Sequence, residues 1–231
     1  MSTNKATILL VEDDPNLGLV VQEHLRMNGY EVVLCADGLA AVEAAREKMF
    51  DLCLIDVMLP GLDGFSFSQK LRKTRPETPF IFLTARSLTE DKIHGFKLGC
   101  DDYITKPFSV EELLLRIEVV IKRSRNSAAD TGASEFQIGT FCFDHTRSTL
   151  VREGVQQKLT AREADLLRLL CLHINQTLVR EDALKEIWGD DSYFSGRSMD
   201  VYISKLRKYL KDDPSIEIMS IHGKGFRLVV S

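Results

Sequence analysis

The sequence has no long hydrophobic run. Its longest early apolar segment, Ile8–Val11, stops at Glu12, and no later run approaches the length that crosses a bilayer. We therefore expect neither a signal peptide nor a membrane-spanning helix. A cytoplasmic protein without a membrane partner is the expectation.

Paired cysteines are also missing. The five cysteines are an odd number, lie far apart in the chain and include no Cys-x-x-Cys pair. This pattern disfavours both a disulfide framework and a structural zinc site. We expect all of them to be reduced core residues.

Charge of one sign is not in large excess. Lys and Arg number 30 against 34 Asp and Glu, and a net charge of -4 disfavours simple electrostatic binding to a polyanion. The average conceals an asymmetry, because the acidic excess falls in residues 1–123 whereas basic residues gather between Arg197 and Lys211. With 44% hydrophobic residues over 231 positions, the chain can build two small cores.

Residues 1–123 are predicted to form one α/β domain. Short apolar strands alternate with helical patterns, and the strands are predicted at Thr7–Val11, Glu31–Leu34, Asp51–Ile55, Pro79–Leu83 and Asp102–Ile104. Asp14 is a candidate N-cap of the first helix, with Pro15 at its first position. This alternation is typical of a flavodoxin-like, doubly wound sheet of five parallel strands, whose ligand site lies at the carboxyl ends of the strands.

Residues 124–134 contain no large apolar side chain and no periodicity, so we predict a flexible linker there. Residues 135–231 are predicted to form a second domain. A small sheet at Phe136–Val155 is followed by three helical patterns and a terminal hairpin, the helices being predicted at Ala161–Asn175, Arg180–Trp188 and Gly196–Lys211. This order indicates a C-terminal winged helix-turn-helix domain.

Polar groups that suit a phosphate meet at the predicted strand ends. The first strand ends in Glu12 and Asp13 and the third ends in Asp56, an acidic cluster that a divalent cation such as Mg²⁺ would make tolerable. Asp56 is then a candidate nucleophile toward phosphorus. The next strands deliver Thr84 and Lys106, a hydroxyl and a cation suited to phosphoryl oxygens. Each group alone would more often be a cap, a turn residue or a solvated surface residue, but their convergence favours a functional site.

The motifs at these strand ends resemble the receiver domain of two-component response regulators. They are Ile-Leu-Leu-Val-Glu-Asp-Asp, Leu-Ile-Asp-Val-Met-Leu-Pro-Gly-Leu-Asp-Gly, Phe-Leu-Thr-Ala and Asp-Asp-Tyr-Ile-Thr-Lys-Pro-Phe. With its C-terminal half, the chain resembles the OmpR/PhoB subfamily over nearly its whole length. The resemblance implies a transcriptional regulator that is controlled by phosphorylation.

The resemblance also implies roles for individual receiver residues. Asp56 would accept a phosphoryl group from the phosphohistidine of a sensor histidine kinase, Thr84 and Lys106 would hold the phosphoryl oxygens, and the Lys106–Pro107 bond would be cis. The implied Mg²⁺ ligands are Asp13, Asp56, the Met58 carbonyl and, through water, Glu12. The domain would catalyse only its own phosphorylation and slow dephosphorylation, so the chain would not be an enzyme in the usual sense.

Phosphorylation is expected to act through a switch and a dimer. Thr84 would turn toward the new oxygens and Tyr103 would rotate into the space it leaves. The subfamily's homodimer would then use Lys92–Glu112, Asp102–Arg116 and Asp101–Arg123 pairs around Ile93. Exposed pairs contribute about 0 to 1 kcal/mol each, so they would set register while apolar contacts supply affinity.

The last predicted helix buries one apolar stripe and is basic on its other side, as expected of a helix that enters the major groove of DNA. By resemblance, Trp188, Arg197 and Tyr202 would contact phosphates, Lys205 and Arg207 would face bases, and Gly189–Ser195 would touch RNA polymerase at promoters with direct repeats. Relatives often carry His and Arg where this chain has Tyr202 and Ser204. The full predicted DNA-binding set is Trp188, Arg197, Tyr202, Ser204, Lys205, Arg207, Lys208, Lys224 and Arg227.

Two alternative functions remain open. A hydrolase with an aspartate nucleophile would need a carboxylate two residues beyond Asp56, and that position is Met58. A constitutive DNA-binding protein with a vestigial receiver is disfavoured because Asp13, Asp56 and Lys106 are all present.

Overall fold

A computed structural model describes residues 5–85, 89–126, 134–188 and 193–231, except the side chains of 89, 123, 125–126 and 193–198. The chain divides into two compact units, Met1–Arg125 and Asn126–Ser231. Among the described residues, no helix is long and apolar enough to cross a membrane.

The first unit contains five strands and five helices among its described residues. In chain order they are β1 Thr7–Val11, α1 Pro15–Met27, β2 Glu31–Cys35, α2 Gly38–Glu47, β3 Leu52–Asp56, α3 Gly64–Thr74, β4 Phe80–Thr84, α4 Thr89–Lys97, β5 Asp102–Thr105 and α5 Val110–Asn126. All strand pairs are parallel, in the order β2-β1-β3-β4-β5. The predicted five-stranded, doubly wound fold is confirmed.

Local sequence explains why these elements begin where they do. The Asp14 carboxylate accepts hydrogen bonds from the Asn16 and Leu17 N–H groups, which confirms it as the N-cap of α1. At the start of α3, a Cβ on Gly64 would lie 2.1 Å from the Asp56 carbonyl oxygen. Only glycine therefore allows α3 to approach the end of β3 this closely.

The strands of the first unit are buried where they meet the helices. β3 and β4 are buried along their whole length, and helices from both faces cover the sheet. Both strands run one residue further than predicted, so that Asp56 and Thr84 are their last residues. Their side chains are consequently fixed by the sheet rather than carried on loops.

The described part of the second unit contains a four-stranded sheet, a three-stranded sheet and three helices. Its elements are β6 Glu135–Ile138, β7 Phe141–Asp144, β8 Thr149–Arg152, β9 Val155–Lys158, α6 Ala161–Leu172, β10 Leu178–Val179, α7 Arg180–Trp188, α8 Tyr193–Leu210, β11 Ile216–Ile221 and β12 Gly225–Val230. The sheet orders are β6-β7-β8-β9 and β10-β12-β11, and all pairs are antiparallel. The helices and the terminal hairpin match the predicted winged helix-turn-helix arrangement.

Several element boundaries and one cysteine differ from the predictions, and α6 ends at Leu172 rather than at the predicted Asn175. Helix α5 continues to Asn126, so the first residues of the predicted 124–134 linker are helical, while residues 127–133 lie outside the described part. Helix α8 begins at Tyr193, three residues before the predicted Gly196. All five cysteines are free thiols, but Cys142 is exposed on β7, so the expectation of a core position is wrong for it.

Candidate functional site

The acidic cluster assembles because β1 and β3 are neighbours in the sheet. Register pairs such as Val11 with Ile55 bring the two strand ends side by side. One oxygen each from Glu12, Asp13 and Asp56 lies within 4.8 Å of the others. The predicted convergence of these carboxylates is therefore present.

The Lys106 ammonium bridges two of the carboxylates. Its Nζ lies 2.5 Å from Asp56 Oδ2 and 2.9 and 2.7 Å from the two Glu12 oxygens. The Lys106 backbone N–H donates to the Thr84 carbonyl at 2.9 Å, and the bond to Pro107 is cis, as expected. The ends of β1, β3, β4 and β5 thus contribute to one site.

Burial and charge perturb the pKa values of this cluster. Burial is the main reason that the pKa of Glu12 is raised, and the negative charge of Asp56 acts in the same direction while Lys106 opposes it. Burial alone would lower the pKa of Lys106, but hydrogen bonds and charges from Asp56 and Glu12 outweigh burial and raise it. The ammonium is therefore held as a cation against the two carboxylates.

The cluster has the chemistry of a site for a hard cation. Oxygen atoms of three carboxylates lie close together, and the described contacts of Lys106 reach only two of them, Glu12 and Asp56. Asp56 Oδ1 accepts the Met58 N–H at 2.8 Å, which fixes the carboxylate, and the exposed Met58 side chain lies at the rim. Because position 58 carries no carboxylate, the structure offers no general acid there for a hydrolase.

Tyr103 already lies inside the unit rather than on its surface. Its ring is 8% exposed and packs edge-on against Phe82, with the centroids 5.9 Å apart. The space exists because α4 carries Gly95 opposite these rings, where a Cβ would lie 3.2 Å from the Tyr103 ring. Lys92, also on α4, has its Nζ 5.9 Å from the Tyr103 ring centroid, and burial lowers the pKa of Lys92. Thr84 is fully buried at the end of β4.

The expected dimer residues do not all lie on the surface. Asp101 is 3% exposed, and its carboxylate accepts the Phe80 N–H at 3.0 Å and lies 3.5 Å from the Arg72 guanidinium. The structure therefore contradicts the expected ion pair between Asp101 and a second chain, because the buried Asp101 carboxylate binds groups of its own chain. The side chain of Arg123, its expected partner, lies outside the described part.

The remaining predicted dimer residues are accessible. Arg116 donates to Asp102 Oδ2 at 2.8 Å and to Glu112 Oε1 at 3.0 Å, so the Asp102–Arg116 pair exists within one chain. Ile93 and Lys92 are partly buried on α4. These side chains form a charged surface on α4, β5 and α5.

On α8, the predicted apolar stripe of Met199, Ile203, Leu206 and Leu210 is buried as expected, but one predicted DNA contact is contradicted. Tyr202 is fully buried and packs on Trp188, with ring centroids 5.9 Å apart. It therefore cannot contact a phosphate as expected, because its side chain lies on the core face of the helix. The exposed residues of the stripe's opposite face include Ser204 and Lys208.

Several predicted DNA-binding side chains have partners within the unit. Lys205 binds Glu163 at 2.9 Å, Arg207 donates to the Ile218 carbonyl at 2.8 and 2.6 Å, and Arg227 donates to the Thr177 hydroxyl at 2.9 Å. Lys224 is exposed at the turn between β11 and β12. The Arg197 side chain and most of the segment expected to touch RNA polymerase lie outside the described part.

Sequence reasoning missed three charged residues that hold these sites in place. Arg72 donates to the Pro76, Thr78 and Gly99 carbonyls and stacks on Phe80, with its Cζ 4.4 Å from the ring centroid. Arg180 pairs with Asp200 on α8. Glu163 binds Lys205. Of these three residues, only Glu163 belongs to a recognisable sequence pattern, the capping box Thr160-x-x-Glu163. That pattern indicates the start of a helix and not the contact with Lys205.

Comparisons with known proteins agree with this geometry. Residues 8–118 match the response regulator receiver domain and residues 154–228 match the C-terminal domain of transcriptional regulatory proteins. The transcriptional regulatory protein RprY of Bacteroides fragilis is 52% identical over 225 residues, covering 97% of this chain and 95% of RprY.

Two solved structures match both units. DrrB of Thermotoga maritima, described as an OmpR/PhoB homolog, is 31% identical, covers 96% of this chain and 98% of DrrB, and has a TM-score of 0.52. A mutant of RitR is 26% identical, covers 97% of this chain and 99% of its own, and has a TM-score of 0.77. The fold and site thus define a two-component response regulator with a DNA-binding output domain. The chain belongs to the OmpR/PhoB family of transcriptional regulators.

Proposed function

We propose that Asp56 carries the phosphoryl group through which this response regulator is controlled. The main support is the buried Asp56 carboxylate, 2.5 Å from the Lys106 ammonium and adjacent to two further carboxylates. An Asp56 oxygen attacks the phosphorus of a kinase phosphohistidine. The P–N bond breaks, its electron pair leaves with the imidazole, which takes up a proton, and an acyl phosphate forms on Asp56.

The surrounding residues bind and orient the phosphoryl group. Asp13, Asp56 and the Met58 carbonyl, with Glu12 through water, would hold Mg²⁺, which would neutralise charge on the phosphoryl oxygens. Lys106 offers its ammonium to one oxygen, and Thr84 offers its hydroxyl to another. Since the chain phosphorylates and slowly dephosphorylates only itself, its output is binding rather than substrate turnover.

Labelling by a small phosphodonor tests the assignment of Asp56. The full chain with Mg²⁺ should acquire one acid-labile phosphate, and Asp56→Asn should abolish it. Asp14→Asn is the matched control, because Asn also caps helices and Asp14 serves α1. Undiminished labelling of Asp56→Asn would refute the assignment.

We further propose that phosphorylation favours a homodimer through α4, β5 and α5. The solvent-accessible charged cluster of Arg116, Asp102 and Glu112 supports this surface. To pair across the interface, Asp102 and Arg116 would have to give up the ion pair that they form within one chain. Light scattering with and without phosphodonor tests it. Arg116→Ala should weaken the dimer modestly, because exposed pairs contribute about 0 to 1 kcal/mol. A phosphorylated chain that stays monomeric would contradict it.

In the second unit, α8 would enter the major groove and the turn at Lys224 would contact a neighbouring phosphate or the minor groove. Exposed Ser204 and Lys208 support this orientation, and the segment 189–195 would contact RNA polymerase. Binding to promoter DNA should weaken with salt by a slope of about -0.9 per phosphate neutralised. A flat salt profile would contradict this orientation of α8.

A further inference from the structure

Lys205 does not lie on the outward face of α8. Successive residues of a helix are rotated by about 100°, which puts Lys205 roughly 100° around the axis from exposed Ser204. Of its neighbours one turn away, Tyr202 is buried, Val201 and Tyr209 are partly buried, and Lys208 is exposed. The Lys205 side chain therefore starts on the flank of α8 that faces the rest of the unit.

The Lys205 ammonium is held at this flank by a buried carboxylate. Its Nζ lies 2.9 Å from Glu163 Oε1, and the side chains are 22% and 2% exposed respectively. The same ammonium lies 5.4 Å from the centroid of the Tyr202 ring. Burial beside the Glu163 carboxylate raises the pKa of Tyr209, which keeps its hydroxyl a donor.

Glu163 has a second contact that fixes it in the fold. It is the third residue of α6, and its Oε2 accepts the Thr160 N–H at 3.0 Å in a capping box. One carboxylate thus joins the first turn of α6 to the middle of α8. If Lys205 turned toward DNA, a nearly inaccessible carboxylate would lose its counter-charge, which is strongly unfavourable.

We infer that Lys205 is a positioning residue that sets the orientation of α8 through Glu163, and that it does not read bases. The inference rests on the proposed binding of DNA by α8. It departs from the role that the family resemblance implied for Lys205. Base recognition is then left to the exposed face of the helix, to which Ser204 and Lys208 belong.

A test uses the full chain and a duplex that the wild-type chain selects from a random-sequence pool. The measured quantity is the preference, defined as the ratio of the Kd for a scrambled duplex to the Kd for the selected one. Lys205→Met removes the ammonium, Glu163→Gln removes the counter-charge but keeps a capping side chain, and Lys208→Met is the exposed control.

If Lys205 acts through Glu163, both changes should reduce the preference by about tenfold, comparable to one mismatched base pair. The double variant should be no worse than either single variant, because both remove the same contact. Lys205→Met should keep the salt slope of the wild type, whereas Lys208→Met should lower it by about 0.9. Lys205→Arg should restore the preference for the same sequence.

Several results would overturn the inference. If Lys205→Met lost the preference while Glu163→Gln kept it, or if Lys205→Arg changed the preferred base, Lys205 would be a base reader. A lower melting temperature with an unchanged preference in both variants would show that the pair only stabilises the fold. Failure of the wild-type chain to select any duplex would instead refute DNA binding itself.

Discussion

Replacing Lys106 by Met removes the only cation that the described contacts place on Glu12 and Asp56. The Lys106 side chain is 18% exposed and the two carboxylates 2% and 7%, so the pair is largely shielded from water. Removing one partner of a buried ion pair costs about 3–5 kcal/mol. We expect about 3 kcal/mol here, because Glu12 can take up a proton, and a fall of about 10 °C in the melting temperature of the first unit.

The effect of Lys106→Met should depend on pH in a defined direction. The folded pKa of Glu12 is raised above 4.5, so protonated Glu12 favours the folded state below that pH, and this advantage is lost as pH rises through the folded value. Removing Lys106 raises the pKa of Glu12 further. The penalty should therefore be small below about pH 4.5 and grow at higher pH.

Calorimetry of the full chain from pH 4 to pH 8 measures this penalty, with exposed Lys73→Met on α3 as the matched control. Fluorescence of Trp188, the single tryptophan, reports on the second unit and should be unchanged. Added Mg²⁺ should stabilise Lys106→Met more than the wild type, because the variant leaves a more negative cluster. The expected fall in melting temperature is about 10 °C. A melting temperature of Lys106→Met within about 2 °C of the wild type would contradict this prediction.

Three further predictions concern single contacts. Arg180→Ala should weaken DNA binding, because it leaves the negative charge of Asp200 on α8 without its partner. In an anisotropy titration, adding Asp200→Asn should restore part of the affinity, and no restoration would contradict this prediction. Hydrogen bonds lower the pKa of Asp213, so its ionised form stabilises the second unit. Asp213→Asn should therefore lower the urea midpoint, measured by Trp188 fluorescence, near pH 7, and the loss should shrink as pH falls below 3.8. A loss that does not depend on pH would contradict this prediction. Gly64→Ala should destabilise the first unit by about 1–3 kcal/mol or more, because its Cβ would lie 2.1 Å from a backbone oxygen; calorimetry showing no loss would contradict it.

The parallel sheet and the acidic edge could be predicted because their causes are local and repetitive. Alternating apolar strands and helices fix the topology, and side chains that follow strand ends must share one edge of a parallel sheet. Glu12, Asp56 and Lys106 therefore meet although they are far apart in the chain. The one-residue shift of β3, from the predicted Asp51–Ile55 to Leu52–Asp56, is within the usual uncertainty of element boundaries.

The failures concern residues whose role depends on what packs opposite them. Asp101 carries a charge beside Asp102 in the sequence, yet it is buried because Arg72 and a strand N–H group satisfy its carboxylate. Tyr202 lies in the core, where Trp188 packs on it. Sequence periodicity placed Tyr202 on the correct helix and Asp101 directly before the correct strand, but it could not identify these partners.

The DNA-binding helix shows the same limit. Its apolar stripe predicted the burial of Met199, Ile203, Leu206 and Leu210 but not that of Tyr202. Lys205 and Arg207 look alike as basic residues off that stripe. The structure distinguishes both from exposed Lys208, because Lys205 binds Glu163 and Arg207 donates to the Ile218 carbonyl. Such distinctions depend on α6 and β11, which are distant in sequence.

The central claim is that a phosphoryl group on Asp56 changes how the second unit binds DNA. The most direct test is the Kd of the full chain for its selected duplex, measured with and without a small phosphodonor and Mg²⁺, in the wild type and in Asp56→Asn. We expect phosphorylation to tighten binding by about tenfold or more, equivalent to about 1.4 kcal/mol, and to leave Asp56→Asn unchanged. Equal affinity of the phosphorylated and unphosphorylated wild type, or an equal gain in Asp56→Asn, would contradict the account.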